Sequence, residues 1–193
     1  MVGVNSWKGG HMKKIFNKII DAFFCHQKSK ESFTVVEKPI ELKEWCNQWK
    51  KELSLKIYIV EHSRESFTNL EDIVNYLKKN QMILFNKLME RIYPFYLGEQ
   101  GRFCEDPDWL SKDEYDEALK NADMPKIHEV DELLNLIKPR CFWIDKKLNG
   151  VYPIKVEFDC TWDEEHGFDF IIYKGNVLSV EEMDELELAQ PMQ

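Results

Sequence analysis

Apolar residues recur along this chain at two periods, and the change from one to the other predicts the fold. Leu70, Ile73, Val74, Leu77, Leu84, Leu88 and Ile92 share one side of a helical repeat. Thr68 and Glu71 form a T-x-x-E capping signature at its start. The pattern predicts a long amphipathic helix from Thr68 to Tyr96, ending where Pro94 and Gly98 disturb it. In the C-terminal third the period falls to two. Cys141 to Asp145, Ile154 to Trp162, Phe168 to Tyr173 and Val177 to Val180 read as strands, with turns at Asn149-Gly150 and Gly175-Asn176. Four strands in sequence make an antiparallel meander.

Upstream, Ile15, Phe16, Ile19, Ile20, Phe23 and Phe24 form an apolar stripe that reads as a helix docking on a core. Phe33 to Leu42 is β-prone but carries Pro39, and Leu55 to Val60 is an almost continuous apolar run suited to an interior strand. Glu44 to Leu53 spaces Trp45, Trp49 and Leu53 four apart, as in a short helix. Ser111 and Glu114 cap a further short helix, and Val130 to Ile137 reads as another that stops before Pro139. The fold class is α+β: a largely antiparallel sheet with a C-terminal β-meander and the long helix packed on one face. Residues 1–11, with Gly9-Gly10-His11 ahead of Met12, read as a tag or cloning scar. An N-terminal helix and strands (12–66) precede the α+β body (67–193), and the two are expected to form one compact domain.

At 193 residues and 44% hydrophobic, the chain has enough apolar surface to offset ordering entropy. Its net charge of -9 is uneven: residues 1–56 hold 11 Lys and Arg against 6 Asp and Glu, whereas residues 57–193 hold 15 against 29. An acidic body repels phosphate backbones, so no direct nucleic-acid binding is expected. No stretch reaches the ~18 apolar residues of a membrane span. The five cysteines are scattered without a C-x-x-C pair. That argues against disulfides and zinc knuckles and points to a reducing, cytoplasmic location. No cofactor is expected, because Gly-rich phosphate loops, G-x-S-x-G elbows and H-E-x-x-H helices do not occur.

The richest local motif follows the strand Ile154 to Trp162. Alternation places Ile154, Val156, Phe158, Cys160 and Trp162 on its core face, with Lys155, Glu157, Asp159 and Thr161 on the other. Asp163, Glu164, Glu165, His166 and Gly167 then crowd the turn that leads to Phe168. Cys160, Trp162, Asp163, Glu165, His166 and Gly167 together resemble the C-terminal Cys-x-Trp-Asp-x-Glu-His-Gly signature of a family of uncharacterised bacterial proteins, classified as a domain of unknown function. The resemblance runs from about Leu70 to Val180; Asp169 and the Glu181-Glu182 pair depart from the pattern. Similar families occur among the immunity proteins of bacterial toxin systems, so the resemblance implies a binding role and no catalytic residues.

Three readings compete for this turn. In the structural one, Asp163 and Glu165 accept backbone N–H bonds, His166 bonds across the hairpin, Gly167 supplies a positive φ, and Trp162 anchors the core. In the second, Asp159, Asp163 and His166 converge on a metal, with Glu164 or Glu165 as the acid/base that activates a bound water, which makes Glu165 and His166 the catalytic candidates of a metal-dependent hydrolase. In the third, Trp162, Asp163, Glu165 and His166 join acids such as Asp113, Glu114 and Glu117 in a surface for a basic protein partner. Seven of the residues from Glu105 to Glu117 are acidic, as are five from Glu181 to Glu187. The preferred functional reading is a non-enzymatic cytosolic binding protein that blocks a basic toxin; the hydrolase is the alternative.

Overall fold

The computed structural model describes residues 33–62, 70–103, 111–144 and 147–188, all within one compact unit, residues 33–193. The tag, the stripe from Ile15 to Phe24, the Thr68 cap and the acids Glu105, Asp106 and Asp108 lie outside the described residues. Six strands form one sheet in sequence order: β1 (Phe33–Ile40), β2 (Leu55–His62), β3 (Ile137–Ile144), β4 (Ile154–Cys160), β5 (Phe168–Tyr173) and β6 (Asn176–Leu178). All neighbours are antiparallel except β2 and β3, which are parallel. A parallel pair needs a long crossover. The helices α2 (Leu70–Phe103), α3 (Lys112–Asn121) and the single turn α4 (Val130–Leu133) fall within it, while α1 (Lys43–Trp49) joins β1 to β2 and α5 (Val180–Leu188) follows β6. The expected α+β class, C-terminal meander and sheet-packed long helix are all observed.

One sheet face carries the main core. Leu55, Ile57 and Ile59 of β2, Phe142 and Ile144 of β3, Ile154, Val156 and Phe158 of β4, and Phe170 and Ile172 of β5 are buried against Leu77, Leu84, Leu88, Ile92 and Tyr96 of α2. Each such side chain contributes on the order of 1.5–3 kcal/mol by leaving water. The short α1 is fixed less by helix propensity than by its two tryptophans. Trp45 packs tilted against Phe142, 5.6 Å between ring centres, and donates its indole N–H to the Gln81 carbonyl (2.7 Å), and Trp49 donates to the Ile137 carbonyl (3.0 Å).

Several boundaries differ from the sequence reading: β4 ends at Cys160 rather than Trp162, and Val180, read as strand, opens α5. Helix α2 runs through Pro94 and Gly98 to Phe103. Pro94 faces solvent, where water can satisfy the carbonyl it fails to serve, while the buried face continues to Tyr96 and Gln100. The helix expected from Val130 to Ile137 lasts one turn, and Ile137 already pairs with Cys160 in β3. Pro139 sits inside that strand beside a register shift before Cys141, which absorbs its missing N–H. Finally, the β5–β6 turn is Lys174-Gly175, both with positive φ (50° and 75°), and Asn176 already belongs to β6.

Candidate functional site

The charged turn is built onto the end of β4 by backbone contacts. Thr161 donates its N–H to the Leu136 carbonyl (3.0 Å) and its hydroxyl to the Asp123 carbonyl (2.7 Å), tying the turn to the connections on either side of α4. Trp162 is half-buried between Tyr96 of α2 (5.0 Å between ring centres) and Phe168 (5.7 Å, stacked). Gly167 has φ +66° and donates its N–H to the Asp163 carbonyl (2.9 Å). Asp163 accepts the His166 backbone N–H on Oδ1 (3.0 Å), and the same oxygen lies 3.0 Å from His166 Nδ1. The imidazole therefore turns back on Asp163 and does not reach across the hairpin as expected. Glu164 and Glu165 point to solvent.

Asp163 and His166 thus come together, and Asp159 does not join them, because its carboxylate is paired with Arg140 at 3.2 Å. Among the described residues no three His, Cys, Asp or Glu side chains are grouped to hold a metal ion. Cys160 is buried; its thiol lies 3.6 Å from the Asp163 carbonyl, and burial pushes it up to about 11, well short of a thiolate nucleophile. The His166 side chain is 73% exposed. His166→Ala is accordingly expected to move the melting temperature by less than about 2 °C, whereas Asp163→Ala, which orphans the turn's N–H, costs about 1 kcal/mol. A larger loss for His166 than for Asp163 in thermal melts would contradict this division of roles.

The acids named from the sequence divide in the same way. On α3, Asp113 and Glu117 are exposed four residues apart. Glu114 is committed to the cap: its carboxylate accepts the Ser111 N–H (2.8 Å) and hydroxyl (2.6 Å), which holds its pKa below the usual carboxylate range. Asp116 is ion-paired with Lys126. Helix α3 ends at Asn121 and runs into the Asp123 to Pro125 segment. Tyr96 binds this segment through the Pro125 carbonyl (2.5 Å), Gln100 through Met124 and Pro125 (3.0 Å each), and Thr161 through Asp123. The turn, α3 and α4 therefore share one end of the domain. Residues 111–136 hold eight acids against three lysines, and the turn adds Asp163, Glu164 and Glu165. Leu97 and Val130, each about two-fifths exposed, place apolar surface at the same end.

Sequence reasoning missed a second constellation, on the sheet face turned away from α2. Lys155 and Glu157 are each only 5% exposed. Lys155 Nζ lies 2.8 Å from Glu157 and 3.2 Å from Asp169, and Arg140 bridges Glu157 (3.1 Å) and Asp159 (3.2 Å). The Cys141 thiol donates to Glu157 (3.2 Å), and burial and the carboxylate push that thiol up. Burial alone would raise Glu157; Lys155, the Cys141 thiol and Arg140 outweigh it and hold the carboxyl below its ordinary range. The alternation in β4 places these residues on one face, but their burial depends on neighbours contributed by β3 and β5.

No curated protein and no solved structure matches the chain. A family model described as a domain of unknown function (DUF6985) matches residues 27–188, which takes in all six strands and both the charged turn and the ion network. The chain belongs to the DUF6985 family, a domain of unknown function.

Proposed function

We propose that this is a protein-binding domain whose acidic end engages a basic partner, and that the partner is a toxin which the domain blocks in the cytoplasm. The observation that carries the reading is the Thr161 to Asp123 hydrogen bond, which joins the charged turn to the connection between α3 and α4. It links the turn, with Asp163, Glu164 and Glu165, to the segment that follows α3, and the proposed surface takes its acids from the turn and from α3. A surface of one sign accelerates encounter with a cationic partner, and apolar residues within it, here Leu97 and Val130, supply contact area once water is excluded. The resemblance to families found among immunity proteins is what favours a toxin over other basic partners.

The test is protection. The reading expects a gene for a basic toxin beside this one; cells expressing that toxin are expected to survive with the wild-type domain and to die with the triple variant Asp113→Lys, Glu117→Lys, Glu165→Lys. Purified, that variant should bind the toxin at least about tenfold more weakly while losing no more than about 1 kcal/mol of stability, because all three side chains are exposed and only Asp113 lies in the first turn of α3. Undiminished binding and protection by the variant would rule out this surface.

A further inference from the structure

A cleft of about 480 Å³ lies at the other end of β4 and α2 from the acidic turn, between the first turns of α2, the β3–β4 connection and the β5–β6 turn. Seven residues of β4 separate the two ends, about 20 Å at the usual rise. The volume falls in the ~300–1,000 Å³ range of small-ligand sites.

Its floor is apolar. Ile154 and Ile172 are register partners on β4 and β5, and Ile73 of α2 closes on them; all three are buried. Two of the large apolar side chains that the domain leaves exposed, Tyr76 and Val151, also line this cleft. Two glycines keep the mouth open. A Cβ on Gly150 would meet nothing within 4 Å, and one on Gly175 would meet only the Tyr76 hydroxyl at 3.9 Å. Lys87 bonds the Gly175 carbonyl and so fixes the β5–β6 turn to α2.

The charge at the rim runs against that of the chain. Residues 57–193 hold 29 acids against 15 bases, yet among the described residues the cleft presents Lys147 and Lys174 against a single carboxylate, Asp72. Each ammonium sits over a ring of its own segment, Lys147 at 4.9 Å from Tyr152 and Lys174 at 5.1 Å from Tyr173. Both lysines are exposed and line the cleft, and the ring contacts restrict where their ammonium groups move. Burial raises the Tyr76 pKa, so its hydroxyl remains a neutral donor.

We propose that this cleft binds an amphipathic monoanion, a carboxylate carried on an apolar chain or ring. The apolar body lies on Ile73, Ile154 and Ile172, and the carboxylate meets Lys147 and Lys174 at the mouth. A cation would face both ammonium groups. A polyphosphate would find two cations and no loop of backbone donors. This site is independent of the acidic end, and either can fail without the other.

Octanoate is the probe, titrated calorimetrically into the full chain, with octylamine and octanol as charge controls. Octanoate is expected to bind with one-to-one stoichiometry and a negative heat-capacity change. Octylamine should bind at least about tenfold more weakly, and the double variant Lys147→Glu, Lys174→Glu should lose about tenfold or more in octanoate affinity. Val151→Trp, which fills the mouth from an exposed position, should weaken octanoate and octanol alike. Amide resonances of Gly150 and Gly175 should shift on binding while that of Gly167, at the far end of β4, stays in place. Absence of octanoate binding overturns the proposal, as does equal affinity in the wild type and the double lysine variant.

Discussion

Gly167→Ala is expected to destabilise the domain by about 2–5 kcal/mol. Two causes add. Gly167 has φ +66°, a conformation that costs an L-residue about 1–2 kcal/mol. A Cβ there would also lie 2.0 Å from the Phe158 carbonyl oxygen and 3.1 Å from its carbon. That obstacle is backbone in the middle of the meander, so β4 or the turn must move. Moving the turn disturbs the Gly167 N–H bond to Asp163 and the Phe168 ring stacked on Phe158 at 5.1 Å. Gly150 provides the control: its φ is +78° but a Cβ would meet nothing within 4 Å. Gly150→Ala should therefore cost only the conformational part, about 1–2 kcal/mol. Thermal and denaturant unfolding of the two variants side by side separates the causes, and equal losses would show that the clash with Phe158 is relieved at no cost.

The charged turn is only partly legible in the sequence. A glycine after a run of polar residues signals a positive φ, and the Asp163 contact to the His166 N–H follows from ordinary turn chemistry. Which way His166 faces is not local information. The period-two segments around Ile154 and Phe168 and the apolar run from Leu55 to Val60 were readable because one buried neighbour on each alternate residue suffices to fix a strand. Pro94, by contrast, signals a helix end by itself, and α2 overrides it because Tyr96 and Gln100 bond the Met124 to Pro125 segment beyond it. Helix α5 had a readable start: Ser179 Oγ accepts the Glu182 N–H (3.2 Å) while Glu182 accepts the Ser179 N–H (2.7 Å). That is the S-x-x-E signature that correctly located α3. In the sequence it is masked, because Val177 to Val180 reads as strand and the acids that follow read as surface. The cleft beside Ile73 has no sequence signal, since Ile73, Lys147 and Lys174 belong to three separate segments that only the fold assembles.

Glu157→Gln is the substitution expected to show what the second sheet face does for the fold. The change preserves shape, so no cavity forms, but it removes the charge that Lys155, Arg140 and the Cys141 thiol share. Lys155 is 5% exposed and still faces Asp169 at 3.2 Å. Leaving one member of a buried pair undercompensated costs about 3–5 kcal/mol; the lower end applies here because Asp169 remains and Arg140 still reaches Asp159. The loss should depend on pH with a definite sign. The folded-state pKa of Glu157 lies below its ordinary 4.5, so its stabilisation is complete above that value and disappears as pH falls through the folded pKa. The gap between wild type and Glu157→Gln is therefore widest near neutrality and narrows in acid. Glu114, Glu132 and Glu182, whose pKa values are also lowered, act in both proteins and cancel from the difference. Replacing both partners, Lys155→Met with Glu157→Leu, should restore stability to within about 1 kcal/mol of wild type, since apolar groups of similar volume replace a buried pair with little loss. A double variant as unstable as Glu157→Gln would mean that the ion network contributes net stability beyond its desolvation cost.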